Sequence, residues 1–174
     1  MKKNLFKLLF ILTLFTNTVS AQTKANETSA KNAIYISAGS IFVYSSVNLN
    51  YDFRIRQSEN GFFKNYYATL EAGVFYANSF FVPGSSRNGF TTGLGVIGLT
   101  GKGNRHFETS LGLSLNVETE INVDDNNYNT EKEEVFIFPE LSLGYRYQKA
   151  NGFMFRAGVG FPQTVYIGAG YSFL

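Results

Sequence analysis

The stretch RHFETSLGLSLNVE, residues 105–118, decides how this chain folds. Phe107, Thr109, Leu111, Leu113, Leu115 and Val117 fall on one parity, and His106, Glu108, Ser110, Gly112, Ser114 and Asn116 on the other. A period of two is the mark of a strand with two unlike faces, and a helix would mix the two sets. The polar set is also unusual. A water-wetted sheet face favours Lys, Glu and Thr, whereas this one holds glycine and serine with isolated charges. Small residues suit a narrow enclosed space, so the apolar face of the strand is the one expected to turn outward.

The same pattern recurs along the chain. Strands are expected at 33–41, 43–56, 66–77, 89–100, 105–118, 134–148, 153–161 and 165–174. In the second, Val47, Leu49, Tyr51, Phe53 and Ile55 oppose Ser46, Asn48, Asn50, Asp52, Arg54 and Arg56. In the sixth, Leu141, Leu143, Tyr145 and Tyr147 oppose Glu140, Ser142, Gly144, Arg146 and Gln148. In the last, Ile167, Ala169, Tyr171 and Phe173 oppose Tyr166, Gly168, Gly170 and Ser172. The alternation slips near Val96-Ile97 in the fourth, where a bulge is expected. Nowhere does helical spacing compete.

Turn chemistry supplies the connections. GKGN at 101–104 and KANG at 149–152 read as tight hairpin turns, and by parity they share one end with 58–65. The other end receives the segments near 79–88 and the acidic run INVDDNNYNTEKEE, 121–134, read as a surface loop. Short turns at one end and long loops at the other match an outer-membrane barrel with its short turns in the periplasm.

The N-terminus and the composition agree with that setting. Lys2 and Lys3 precede an apolar stretch from Leu5 to Phe15, and Val19 and Ala21 sit where a signal peptidase reads, so 1–21 is expected to be a cleaved signal peptide. Residues 22–32 read as a flexible lead-in, and 33–174 as one barrel domain. Removing Lys2, Lys3 and Lys7 takes the formal charge from +2 to −1, which excludes a basic nucleic-acid surface. With no Cys, neither disulfides nor thiolate metal sites are available. Charged residues make up 16%, against about 25% in soluble domains, while aromatics reach 17%. Such a chain shows much of its surface to something other than water. The expected fold class is therefore all-β: an eight-stranded antiparallel transmembrane up-and-down β-barrel, whose lumen side chains can fill.

The architecture resembles the small eight-stranded outer-membrane barrels of Gram-negative bacteria, the OmpA/OmpX-like group. The segments GYRYQKANGFMFRAG, 144–158, and GAGYSFL, 168–174, resemble the closing hairpin of uncharacterised Bacteroidetes-type outer-membrane barrels, although Leu174 extends one residue past Phe173. The resemblance implies localisation in the cell outer membrane. It also implies contact with outer-membrane lipid and lipopolysaccharide, and insertion by the outer-membrane assembly machinery with Tyr171 and Phe173 as the signal. It names no substrate.

Asp52, Arg54, Arg56, Glu71, Glu108, Glu140, Arg146 and Arg156 share the inward parity. Charges in a narrow interior must pair, because desolvation costs several kcal/mol per ion. The expectation is a salt-bridged plug in which Glu71, Glu108 and Glu140 meet Arg54, Arg146 and Arg156. A polar path for ions or small solutes is the alternative. His106 and Ser110 could suggest a hydrolase, but i and i+4 in a strand are about 13 Å apart. The acidic stretch lacks the ligand order of an EF-hand loop, leaving a solvated loop, or weak divalent-cation or partner binding. Glycine pairs such as Gly93 and Gly95 precede no helix and so form no phosphate loop. The reading is a non-enzymatic, monomeric protein without cofactor or metal, with a structural or surface-interaction role. A narrow, porin-like channel or small-ligand carrier comes next, then a lipid-modifying enzyme. A soluble periplasmic barrel or sandwich holding an apolar ligand is the non-membrane alternative.

Overall fold

The computed structural model describes residues 30–41, 44–78, 86–123 and 129–174, with side chains left aside at 41, 78, 86, 119–123 and 129–133. The signal-peptide reading at 1–21 and most of the lead-in fall outside these residues. Eight strands run β1 Asn32–Ile41, β2 Tyr44–Gln57, β3 Phe63–Asn78, β4 Ser86–Thr100, β5 Arg105–Val123, β6 Asn129–Gln148, β7 Gly152–Phe161 and β8 Val165–Phe173. Each pairs antiparallel with the next, and β8 pairs with β1, from Asn32 opposite Phe173 to Ser40 opposite Val165. The sheet is a closed barrel. Closure leaves the barrel proper without a free edge.

The faces follow the sequence parity. Buried inward residues include Ser46, Asn48, Asn50 and Asp52 on β2, Glu108, Ser114 and Asn116 on β5, and Arg146 and Gln148 on β6. Leu49, Leu70, Leu94, Leu111, Leu113, Ile137, Leu141, Leu143 and Ile167 point out and are exposed. The interior is polar and the exterior apolar. Two small apolar clusters interrupt the interior: Ala33 with Tyr35 and Met154, and Tyr67 with Ile97 and Leu99.

The turns after β2, β4 and β6 gather at one end with the start of β1 and the end of β8; this is called the turn end below. Gly101 there has φ +76° and Gly152 φ +149°, where a side chain would be strained. The opposite end is uneven. Pairing of β5 with β6 continues from Glu118 opposite Glu134 to Val123 opposite Asn129. Pairing of β4 with β5 ends at Gly89 opposite Glu118, and that of β6 with β7 at Leu141 opposite Phe161. The β5–β6 hairpin therefore rises well past the rest of this hairpin end. Pro139 stands on the exposed part of β6 just past its last β7 partner, where a missing N–H suits an edge.

Two expectations change. Much of 121–134 is ladder rather than loop: pairing continues to Val123 opposite Asn129, and the polar run 129–134 carries no one-sided pattern to reveal its strand. The bulge expected at Val96-Ile97 is absent: β4 keeps continuous register there with both neighbours. The alternation slips because Ile97 and Leu99 are inward apolar residues, packed on Tyr67. The irregularities lie instead between Arg54 and Arg56, and between Phe63 and Asn65.

Candidate functional site: the charged lumen

Four strands bring the central charges together. Arg146 on β6 and Arg156 on β7 lie directly opposite each other in register. Like charges so placed repel unless acids intervene. Glu108 from β5 and Asp52 from β2 intervene. Arg146 Nη1 donates to Asp52 Oδ2 at 2.6 Å and to Glu108 Oε2 at 3.4 Å. Arg156 Nη2 lies 2.6 Å from Glu108 Oε1. Arg156 Nη1 also donates to the Tyr35 hydroxyl, which donates to Asp52 Oδ1 at 3.2 Å. The circuit Asp52–Arg146–Glu108–Arg156–Tyr35 thus closes on itself. Tyr166 adds a hydroxyl donor to Glu108 Oε1 at 3.2 Å.

Aromatic rings complete the cage. The Arg146 guanidinium lies 5.3 Å from the Tyr67 ring centroid and 5.8 Å from that of Tyr35. Arg156 lies 5.2 Å from Tyr35 and 4.7 Å from Tyr166. Each ring offers its negative face to a cation already removed from water. Glycine makes room for these side chains. A Cβ at Gly158 would lie 2.6 Å from the Tyr166 hydroxyl, and one at Gly168 3.1 Å from Arg156 Cγ. Two arginines and two carboxylates, with side chains at most 10% exposed, balance in charge inside the barrel.

Towards the turn end, Tyr67 donates to the carbonyl of the fully buried Ala30 at 2.6 Å. Gln148 Nε2 reaches the Tyr67 hydroxyl at 3.5 Å. His106 donates Nδ1–H to the Thr100 carbonyl at 2.6 Å.

Towards the hairpin end the lumen changes character. A cavity of about 60 Å³, room for a few waters, is bordered by Glu71, Glu140, Asn48, Ser37 and Thr69 among others, with Gln163 of the β7–β8 connection beside it. Asn48 Nδ2 donates to Glu71 Oε2 at 3.4 Å, and the Ser110 and Ser142 hydroxyls are hydrogen-bonded at 2.5 Å. Beyond, half-exposed Arg87 meets Glu118 at 3.3 Å and Glu134 at 3.7 Å.

The structure therefore brings together four of the eight charges singled out in the sequence: Asp52, Glu108, Arg146 and Arg156. Glu71 and Glu140 do not pair with the arginines expected of them; they line the separate cavity. Arg54 is half-buried opposite Tyr67 at the turn end. Arg56 is a correction. The irregularity after Arg54 sets it opposite Tyr66, and it is exposed rather than in the lumen. Tyr171 is exposed and Phe173 half-exposed on the outer face at the turn end. Parity did not reveal the three lumen tyrosines as partners of the charges. The available signal was a large aromatic, such as Tyr166, among glycines on the polar face. No metal-type cluster of three or more His, Asp or Glu occurs among the described residues. No family model, curated protein or solved structure matches the chain.

Proposed function

We propose that this protein is a non-enzymatic outer-membrane β-barrel, OmpA/OmpX-like in architecture and resembling Bacteroidetes-type barrels in its closing hairpin. It is exported by a cleaved signal peptide, acts in a structural or surface-interaction role and has its lumen plugged by charge. One observation carries the reading: a closed barrel with a polar interior presents an apolar wall on its outside. Leu94 and Leu111 are each 64% exposed and Ile137 68%. Water would penalise such a surface at roughly 25 cal/mol per Å², and monomers in water seldom carry an apolar patch beyond a few hundred Å². Tyr51, Phe107, Tyr145, Phe153 and Tyr171 are exposed towards the turn end, and Tyr76, Phe90 and Phe161 towards the hairpin end. Leucine, isoleucine and valine lie between these two aromatic girdles, an arrangement typical of barrels with an apolar band about 25 Å tall. In this reading the turn end is periplasmic, Tyr171 and Phe173 present the insertion signal to the assembly machinery, and the β5–β6 hairpin stands outside the cell among lipopolysaccharide. The protein acts as a monomer.

Leu113→Arg tests the wall. It should lower stability in lipid by about 2–4 kcal/mol near the midplane, while the wild-type chain should fractionate with outer membranes and need detergent for extraction. Recovery of the wild type in the soluble periplasm sinks the membrane reading. A narrow channel is the second reading, favoured by the cavity beside Glu71 and Glu140. Planar-bilayer recording separates the two, since the plugged barrel should show no steady conductance.

A further inference from the structure

Glu71 and Glu140 border one small cavity from opposite walls, β3 and β6. Among the described residues neither lies within ion-pair distance of an arginine. Arg156 is the cation nearest to hand, but both its terminal nitrogens are committed, to Tyr35 and Glu108. The cavity therefore holds two acidic side chains that have no paired arginine. A second observation points the same way. Asn48 is 2% exposed, and its Oδ1, like Glu71 Oε1, is a buried acceptor with no hydrogen-bond partner. Its Nδ2 faces Glu71, which fixes the amide orientation and leaves the carbonyl oxygen as the unsatisfied end. Buried acceptors left unmatched are costly. The remaining polar lining of this cavity is mostly hydroxyl and amide, from Ser37, Thr69, Ser110 and Ser142 among others.

We propose that this cavity binds one hard divalent cation of the calcium class, held by Glu71, Glu140 and the Asn48 carbonyl oxygen, with water completing the shell. Two carboxylates match its charge. Calcium accepts six to eight oxygens in flexible geometry, including Asn carbonyls and waters, whereas magnesium demands a tight octahedron. With no His or Cys among the lining residues, zinc and copper are disfavoured. Arg156 Nε also borders the site without a hydrogen-bond partner, and a metal-bound water is a suitable acceptor for it. The site goes beyond the structural role proposed above, and it does not depend on what surrounds the outer wall.

Calcium chloride titrated calorimetrically into the chelator-treated, detergent-folded barrel should show one site per chain, with magnesium and sodium chloride at least tenfold weaker. Glu71→Gln and Glu140→Gln should each weaken calcium at least tenfold while keeping the heat-modifiable mobility of the folded barrel. Asp124→Asn with Asp125→Asn, in the acidic run 121–134 of the sequence, should leave it unchanged. Asn48→Asp supplies a third carboxylate and should tighten binding at least threefold, a gain that misfolding cannot mimic. The proposal is overturned by the absence of a one-site isotherm. It is equally overturned by binding that survives the Glu71 and Glu140 changes, by loss on altering Asp124 and Asp125, or by an Asn48→Asp variant no tighter than wild type.

Discussion

The two halves of the lumen use the same residue types to opposite ends. Around Arg146, each carboxylate has an arginine, the tyrosines are stacked or bonded, and side chains are at most 10% exposed. Around Glu71, carboxylates face each other's cavity, a buried amide oxygen lacks a partner, and space remains. The difference is one of supply. Two arginines project into the centre from adjacent strands, and the bulge that turns Arg56 outward removes a further one from the lumen. The same lumen thus holds a paired charge network on one side and a small cavity lined by acids on the other.

Neutralisation should separate the halves most sharply. Arg146→Met strands Asp52 and Glu108 in a closed space, and should cost about 3–5 kcal/mol in urea unfolding of the folded barrel. A loss under about 1 kcal/mol would mean that the central network is hydrated. Next in size, Tyr166→Phe removes one donor from the buried carboxylate of Glu108 and should cost about 1.5–3 kcal/mol, the range for a hydrogen bond to a charged group. Gly158→Ala should cost about 1–3 kcal/mol. Its methyl meets the Tyr166 hydroxyl at 2.6 Å and the Gly144 Cα at 2.7 Å, both across the plugged half. The smallest effect belongs to the other half. Glu71→Gln, measured in chelator, should shift stability by less than about 1 kcal/mol, since no arginine is left unpaired. A penalty as large as that of Arg146→Met would erase the contrast between the halves.

The barrel was legible in the sequence because one face of every strand is apolar, so that parity alone sorts Leu111 and Leu113 from Glu108 and Ser110. Parity gives a face but not a height. It placed Asp52, Glu71, Glu108 and Glu140 on one wall surface, yet partners are chosen by register and stagger around the barrel. Hence Arg146 meets Asp52, 94 residues away in sequence, as well as the expected Glu108, whereas Glu71 and Glu140 meet no arginine among the described residues. Arg56 was misplaced because a one-residue irregularity reverses every face beyond it. Ile97 and Leu99 disguised themselves as a bulge, since an apolar residue pointing inward looks in sequence like a shift of backbone. The hairpin beyond Glu118 was hidden for the converse reason: its β6 arm, 129–134, is polar on both parities, so the alternation that marks a strand is missing there.

The pairing of β1 with β8 carries a consequence in time. Asn32 is laid beside Phe173, some 140 residues later in synthesis, so the first strand waits for the last before its second ladder can form. The entropy of joining ends grows only slowly with chain length, about 0.6 kcal/mol per doubling, so the delay is kinetic more than energetic. All seven other pairings are between sequence neighbours and can form as the chain emerges, but the final one cannot be anticipated. Until it forms, two strand edges stay open to any passing backbone, the condition in which β-proteins aggregate. Refolding should therefore be limited by this last seam, with changes in β1 or β8 slowing it more than equal changes in the β5–β6 hairpin, whose strands meet early.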